Sequence, residues 1–201
     1  MNLHSRPISP ISSTLKSILH VTCYFFLSLG IFALAYAGFV FADSHAYQAA
    51  ALIKFDHAGV PTEPRVLADG DVIGEIQIPR LALNAIVVQG DSLANLRRAV
   101  GHLANSALPG QWGNVALAGH RDTLFRPLRN IRLGDQIKFK TPERTFEYRV
   151  ESIQVVAPTY IGALESSTGH DLTLLTCFPF HYIGSAPKRF VVHAQEVDQT
   201  P

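Results

Sequence analysis

The chain is 201 residues long and nearly balanced in charge, with 17 Lys and Arg against 16 Asp and Glu and a formal net charge of +1. That balance lacks the basic bias of nucleic-acid-binding proteins, and the length suits one modest domain rather than several. Internal repeats and low-complexity tracts are absent.

The first element in chain order is an anchor. Ser17 to Ala42 contains no Asp, Glu, Lys or Arg, and Val21 to Ala42 is a nearly unbroken apolar run. As a helix it is long enough to cross a ~30 Å hydrocarbon core. Arg6 and Lys16 precede the run with no acidic residue among them, and Asp43 follows at once. The positive-inside bias therefore predicts a cytoplasmic tail at 1–16, a transmembrane signal-anchor at 17–42 and an extracytoplasmic remainder. A cleaved signal peptide is the alternative, with Ala35-Tyr36-Ala37 as its cleavage site, but the apolar run continues through Gly38-Phe39-Val40-Phe41 and exceeds a usual h-region. On either reading the main domain is exported.

Residues 43–70 begin with helix formers and then turn rich in Pro, Gly and charge, the pattern of a short helical stalk followed by a linker. The domain is expected at 71–197, with a short tail at 198–201. Within it "GEIQIP", "NAIVVQG", "GNVALAGH", "LGDQIKFKT", "TFEYRVESIQVV", "DLTLLTC" and "RFVVHAQ" are short β-patterned runs separated by turn residues. One helix is predicted from Ser92 to Val100, capped by Asp91, because Leu93, Leu96 and Val100 recur at helical spacing. In "TFEYRVESIQVV" Phe146, Tyr148 and Val150 alternate, whereas Ile153 and Val155 have switched parity, so a bulge or bend is expected there. Strands curved in this way suit a barrel.

Cys23 lies inside the apolar run and Cys177 far outside it, so the two thiols cannot pair within one molecule. A lone cysteine in an exported domain is either buried and inert or kept for its reactivity. A thiol with the ordinary pKa of ~8.5 is only a few per cent thiolate at neutral pH, so a nucleophilic Cys177 needs a base or cations beside it. His120 ends an apolar strand at a Gly-His-Arg-Asp turn, where a side chain leaves the sheet for a cleft. Arg189 opens the last strand and could hold a carbonyl oxygen or the charge that develops on it. If the strands of Cys177 and Arg189 are neighbours, all three groups can converge on one sheet face. By spacing alone His181, four residues after Cys177, and His102, after the predicted helix, compete with His120. His45 and His57 fall in the stalk, His170 in a polar loop and His193 within a strand. Arg189 could equally be a surface charge on an edge strand.

Three stretches carry a resemblance. "TLLTC" at 173–177, "GNVALAGHRDTLFRPL" and "APKRFVVHA" resemble the signature, histidine and arginine segments of the sortases, membrane-anchored cysteine transpeptidases. The similarity covers about 73–195, and "CFPFHYIGSAPKRF" looks most like class D. It implies a mainly β fold, a closed antiparallel β-barrel of about eight strands with short helices, preceded by the one transmembrane helix. It also implies Cys177 as nucleophile, His120 as catalytic histidine, Arg189 as catalytic arginine and Thr176 as a residue lining the substrate pocket. No cofactor and no metal are implied, and no Asp or Glu cluster makes a calcium site. The implied partners are surface or secreted proteins bearing an LPxTG-like or LPxTA-like sorting signal, and an amine acceptor such as a cell-wall precursor or a pilin lysine. A Cys-His hydrolase and a non-enzymatic tethered β-domain remain as rival readings.

Overall fold

The computed structural model describes residues 13–57, 59, 66–159, 169–182 and 184–197. The first part of the expected tail at 1–16, residues 60–65 of the linker and the terminal 198–201 lie outside the described residues. The apolar run forms one helix, α1 (Ser13–His57), long and apolar enough to span a membrane. Its first unit ends at Asp43. Within that unit Phe25, Phe32 and Leu34 are exposed on all sides, as suits a helix whose surroundings are apolar. The Thr22 and Ser28 hydroxyls donate to the carbonyls of Ile18 and Tyr24, four residues back, at 2.9 and 2.8 Å. These hydroxyl hydrogens are thereby satisfied inside the helix.

The second unit, from Ser44 onward, is built on eight strands. They are β1 (Val72–Ile78), β2 (Leu83–Gln89), β3 (Val100–His102), β4 (Gly113–Ala118), β5 (Gln136–Lys140), β6 (Thr145–Val156), β7 (His170–Phe178) and β8 (Lys188–Glu196). They close into a barrel in the order β1-β2-β3-β4-β7-β8-β6-β5. Six of its seams are antiparallel. The seams β2–β3 and β4–β7 are parallel, so the barrel is mixed rather than purely antiparallel. Alternate residues such as Ile76 and Ile78, Val115 and Leu117, and Leu172 and Leu174 fill its interior.

The parity switch in β6 is a register shift between Val150 and Ser152, where the strand passes along β8. The helix expected from Ser92 to Val100 is much shorter. Only Leu93–Leu96 (α2) is helical, and its cap is Ser92, whose hydroxyl accepts from the Asn95 amide at 3.3 Å, not Asp91. Val100 is a strand residue, fully buried and paired with Val87 of β2. Tertiary pairing has overridden a local helical spacing of three apolar residues, and Leu93, the first of them, stays exposed.

In the second unit, the last turns of α1 cover the outer face of β2. Ala51 packs with Ile86, Val88 and Ala99, while Tyr47, Leu52 and Phe55 surround them. Gln48 accepts from the Ile86 amide at 2.8 Å and donates to the Arg98 carbonyl at 2.5 Å. β2 is thus apolar on both faces, which explains the unbroken "AIVV".

Because β4 pairs with β7 while β5 pairs with β1 and β6, the chain leaving β4 must cross the barrel mouth to begin β5. It does so through Gly119–Asp135, and Phe125, Leu128 and Ile131 of that crossing plug the core from above. Burying three such side chains contributes on the order of 1.5–3 kcal/mol each.

Two histidines, His102 buried and His193 half-buried, tie other strands. His102, 1% exposed, has Nδ1 2.9 Å from Gln89 Oε1 and Nε2 2.9 Å from the Ala107 carbonyl. His193 Nδ1 lies 2.9 Å from the Thr173 hydroxyl. Burial pushes the His102 pKa below its ordinary 6.5, outweighing the Ala107 carbonyl, which favours the charged form. Burial likewise lowers His193, against the opposing pull of Asp171. The unfolded chain therefore takes up these protons before the native one does. The contribution to stability is complete above pH 6.5 and is lost as pH falls from there through the lowered native values. The thermal midpoint of the full chain should fall between about pH 7 and about pH 5, and His102→Asn, though less stable at neutral pH, should show a shallower slope. A midpoint flat across that range would contradict this account.

Candidate active site

β7 turns Leu172 and Leu174 into the core, which leaves Thr173, Leu175 and Cys177 on the opposite face. β8 buries Phe190, Val192 and Ala194 and leaves Arg189, Val191 and His193 on that same face. In register, Cys177 stands directly opposite Arg189. Side chains directly opposite across an antiparallel pair are neighbours on one face. β4 runs parallel to β7, and its last pair is Ala118 with Leu175. Two positions further along each chain come His120 and Cys177. The pairing persists into this stretch, for the Gly119 amide donates to the Leu175 carbonyl at 3.1 Å. Cys177 and Arg189 thus share one face of the β7–β8 pair, and the turn that carries His120 adjoins them at the same rim of the barrel.

The surroundings hold each part. Gly119 lies against the ring of the buried Phe125, and a Cβ there would come within 2.6 Å of it, so a side chain at 119 would displace the turn that carries His120. The His120 carbonyl accepts from the Phe125 amide at 3.1 Å and closes that turn. Thr176, expected to line the pocket, is 3% exposed, and its hydroxyl donates to the Gly119 carbonyl at 2.6 Å. It ties the cysteine strand to the histidine turn from the core side. Cys177 is a free thiol and half-buried. Arg189 donates through Nη1 to the carbonyls of Lys188 and Ala186, at 3.1 and 3.3 Å, which leaves Nε and Nη2 as further donors.

Arg121, which sequence reasoning did not single out, is 7% exposed. It donates to the carbonyls of Pro179, Tyr182 and Gly184 at 3.0, 2.6 and 3.2 Å. These lie on the loop between Cys177 and Arg189, so the residue after His120 holds that loop against the histidine turn. Its partners stand 58 to 63 residues away, and no local spacing marks it. Phe178, Phe180 and Phe190 form a second clamp, with centroids 5.1 to 6.1 Å apart, beneath the same loop.

The competing histidines differ in setting. His102 is enclosed in the core network described above, and His181 is exposed on the loop after β7. His170 opens β7 and meets Trp112 edge to face at 5.1 Å. Among the described residues no group of three or more His, Cys, Asp or Glu could hold a metal ion.

A thiol flanked by an imidazole and a guanidinium can serve as nucleophile, proton carrier and oxyanion donor. Comparison with known proteins identifies the family. Residues 76–197 match the Sortase domain model. The chain is 33% identical over 130 residues to Sortase D of Bacillus subtilis, covering 64% of this chain and 65% of that one. It is 28% identical over 201 residues to Sortase SrtE1 of Streptomyces coelicolor, covering 88% and 56%. The matches therefore span about two thirds or less of these relatives' length. Among solved structures, a Clostridium perfringens Sortase D5 transpeptidase superposes with a TM-score of 0.61 at 28% identity, over 66% of this chain and 83% of that one. Sortase A from Corynebacterium diphtheriae gives 0.61 at 31% identity, over 67% and 64%. With its family model covering residues 76–197, from within β1 to the end of β8, the chain belongs to the sortase family.

Proposed function

We propose that this protein is a membrane-anchored cysteine transpeptidase that cleaves an LPxTG-like or LPxTA-like sorting signal and transfers the protein to an amine at the cell surface. The observation that carries the reading is the register: Cys177 stands opposite Arg189 in a sortase domain, with His120 on the turn that leaves the neighbouring parallel strand at the same rim. The Cys177 thiolate attacks the Thr carbonyl of the signal, and Arg189 donates to the oxygen that becomes negative. His120 gives a proton to the departing amine, which leaves a thioester at Cys177. An acceptor amine then attacks the thioester, His120 takes its proton, and the new amide departs as the thiolate is restored. Thr176 supports this pocket from beneath, and Arg121 positions the loop that forms its wall.

The N-terminal helix supplies the anchor in this reading. Lys16 before the apolar run and Asp43 after it favour a cytoplasmic N-terminus and an extracytoplasmic barrel. Protease added to spheroplasts should digest the barrel or its stalk and spare a tag at position 2. A tag cut from outside while the barrel is protected would reverse the orientation.

Variants separate the roles. Cys177→Ala should abolish both iodoacetamide labelling and turnover in the full chain. His120→Ala should cost ~10²–10⁴ in rate and Arg189→Ala ~10²–10³, while His181→Ala and His102→Asn cost far less. Arg121→Ala should leave Cys177 open to alkylation but raise KM for a sorting-signal peptide, with partial recovery in Arg121→Lys. A dead His181→Ala beside a nearly normal His120→Ala would overturn the assignment.

Transfer is distinguished from hydrolysis by the fate of the thioester. Peptide cleavage should be slow without added amine, and hydroxylamine or a glycine- or diaminopimelate-type amine should speed it and yield hydroxamate or amide. Fast cleavage to the free acid, unaffected by amine, would make the protein a hydrolase.

A further inference from the structure

The rim that carries Cys177 also holds a concave feature. Where the 3-10 turn Pro79–Leu81, between β1 and β2, meets the 3-10 turn Arg126–Asn130 of the mouth-crossing segment, they border a cleft of about 530 Å³. Its polar lining comes chiefly from Arg80, Arg129, Arg132 and Asn130. Arg80 is fixed, since it donates to both carboxylate oxygens of Asp135 at 2.5 Å and to the Asn130 carbonyl at 2.6 Å. Asp135, 8% exposed, also accepts from the Arg132 amide at 2.8 Å. The hydrogen bond from Arg80 holds its carboxyl below the ordinary carboxylate range, against the effect of burial. Asp135 is thus engaged within the wall. Among the described residues, Arg129 and Arg132 make no ion pair within contact distance.

Three guanidiniums and one carboxylate leave two net positive charges in one cleft of a chain whose total is +1. Arg129 is exposed on the second 3-10 turn, and Arg132 is exposed just beyond it, past the extended residue Ile131. Like charges gathered in one cleft repel unless an anion lies between them. Planar guanidinium forks match phosphate oxygens two at a time, and a single carboxylate would occupy only one fork. The volume admits a diphosphate or a phosphodiester with its substituents.

We propose that the cleft between Arg80, Arg129 and Arg132 is a binding site for a phosphate-bearing anion, held by the forks of Arg129 and Arg132 against the Arg80–Asp135 wall. It is separate from the nucleophile's face, and it stands or falls independently of transpeptidation. The same chemistry could come from a lipid headgroup or from a free phosphate.

The test is calorimetric titration of the full chain in neutral detergent at low ionic strength, with inorganic pyrophosphate and, separately, with dihexanoyl phosphatidylglycerol. Saturable binding that weakens as salt is added is expected for one probe or both. The double variant Arg129→Gln with Arg132→Gln should weaken it at least about tenfold, while Arg144→Gln on the β5–β6 turn leaves it unchanged. Arginine-dependent binding of pyrophosphate alone identifies a free phosphate as the source, and of the lipid, a headgroup. Absence of saturable binding for both probes, or equal binding by the double variant with its circular dichroism intact, would overturn the proposal.

Discussion

The parallel seam between β4 and β7 is the constraint from which the rest of the architecture follows. Two parallel strands cannot be joined by a tight turn, and their carboxyl ends finish at the same rim. The seam therefore brings the turn of His120 and the strand end of Cys177 to the same rim, although the two are 57 positions apart in the chain. It also places β5 on the far side of the barrel, so the chain from Gly119 to Asp135 must traverse the mouth. Phe125, Leu128 and Ile131 turn that obligatory crossing into the upper layer of the core.

Rigidity at the site follows from this layout. Each chemical group sits at a strand end or on a turn clamped from several directions: Gly119 against Phe125, Thr176 on the Gly119 carbonyl, Arg121 on three carbonyls of the opposite loop. A buried guanidinium that satisfies backbone carbonyls holds irregular chain as a β-ladder holds a strand, and its removal leaves those acceptors unpaired. The aromatic set Phe178, Phe180 and Phe190 secures the same loop from the apolar side. The polar clamp fixes direction, and the aromatic one excludes water.

The crossing segment also distributes charge. His120 and Arg121 stand at its start, and Arg126, Arg129 and Arg132 follow toward β5. Asp135 at its end neutralises Arg80 within the wall and leaves the arginines of the 3-10 turn facing solvent. An almost neutral chain thus acquires a locally positive rim through placement and not through composition.

Local chemistry determined a good deal of this protein. An apolar run without charge makes a helix that can span a membrane, β-patterned runs bounded by turn residues marked seven of the eight strands, and a parity switch located the bulge at Val150 to Ser152. The lone thiol of Cys177 and the motifs around it pointed to the family, because both are legible within a few residues. What lay beyond reach depends on pairing between distant segments. β3 is three residues long and looked like the end of a helix until β2 offered its edge to Val100. The direction of the β2–β3 and β4–β7 seams, the loop clamp of Arg121, the inward hydroxyl of Thr176 and the meeting of Arg80 with Arg129 and Arg132 have no local period. Only closure of the barrel brings those groups together, since hydrogen bonds and charges act through space while sequence spacing reports neighbours along the chain.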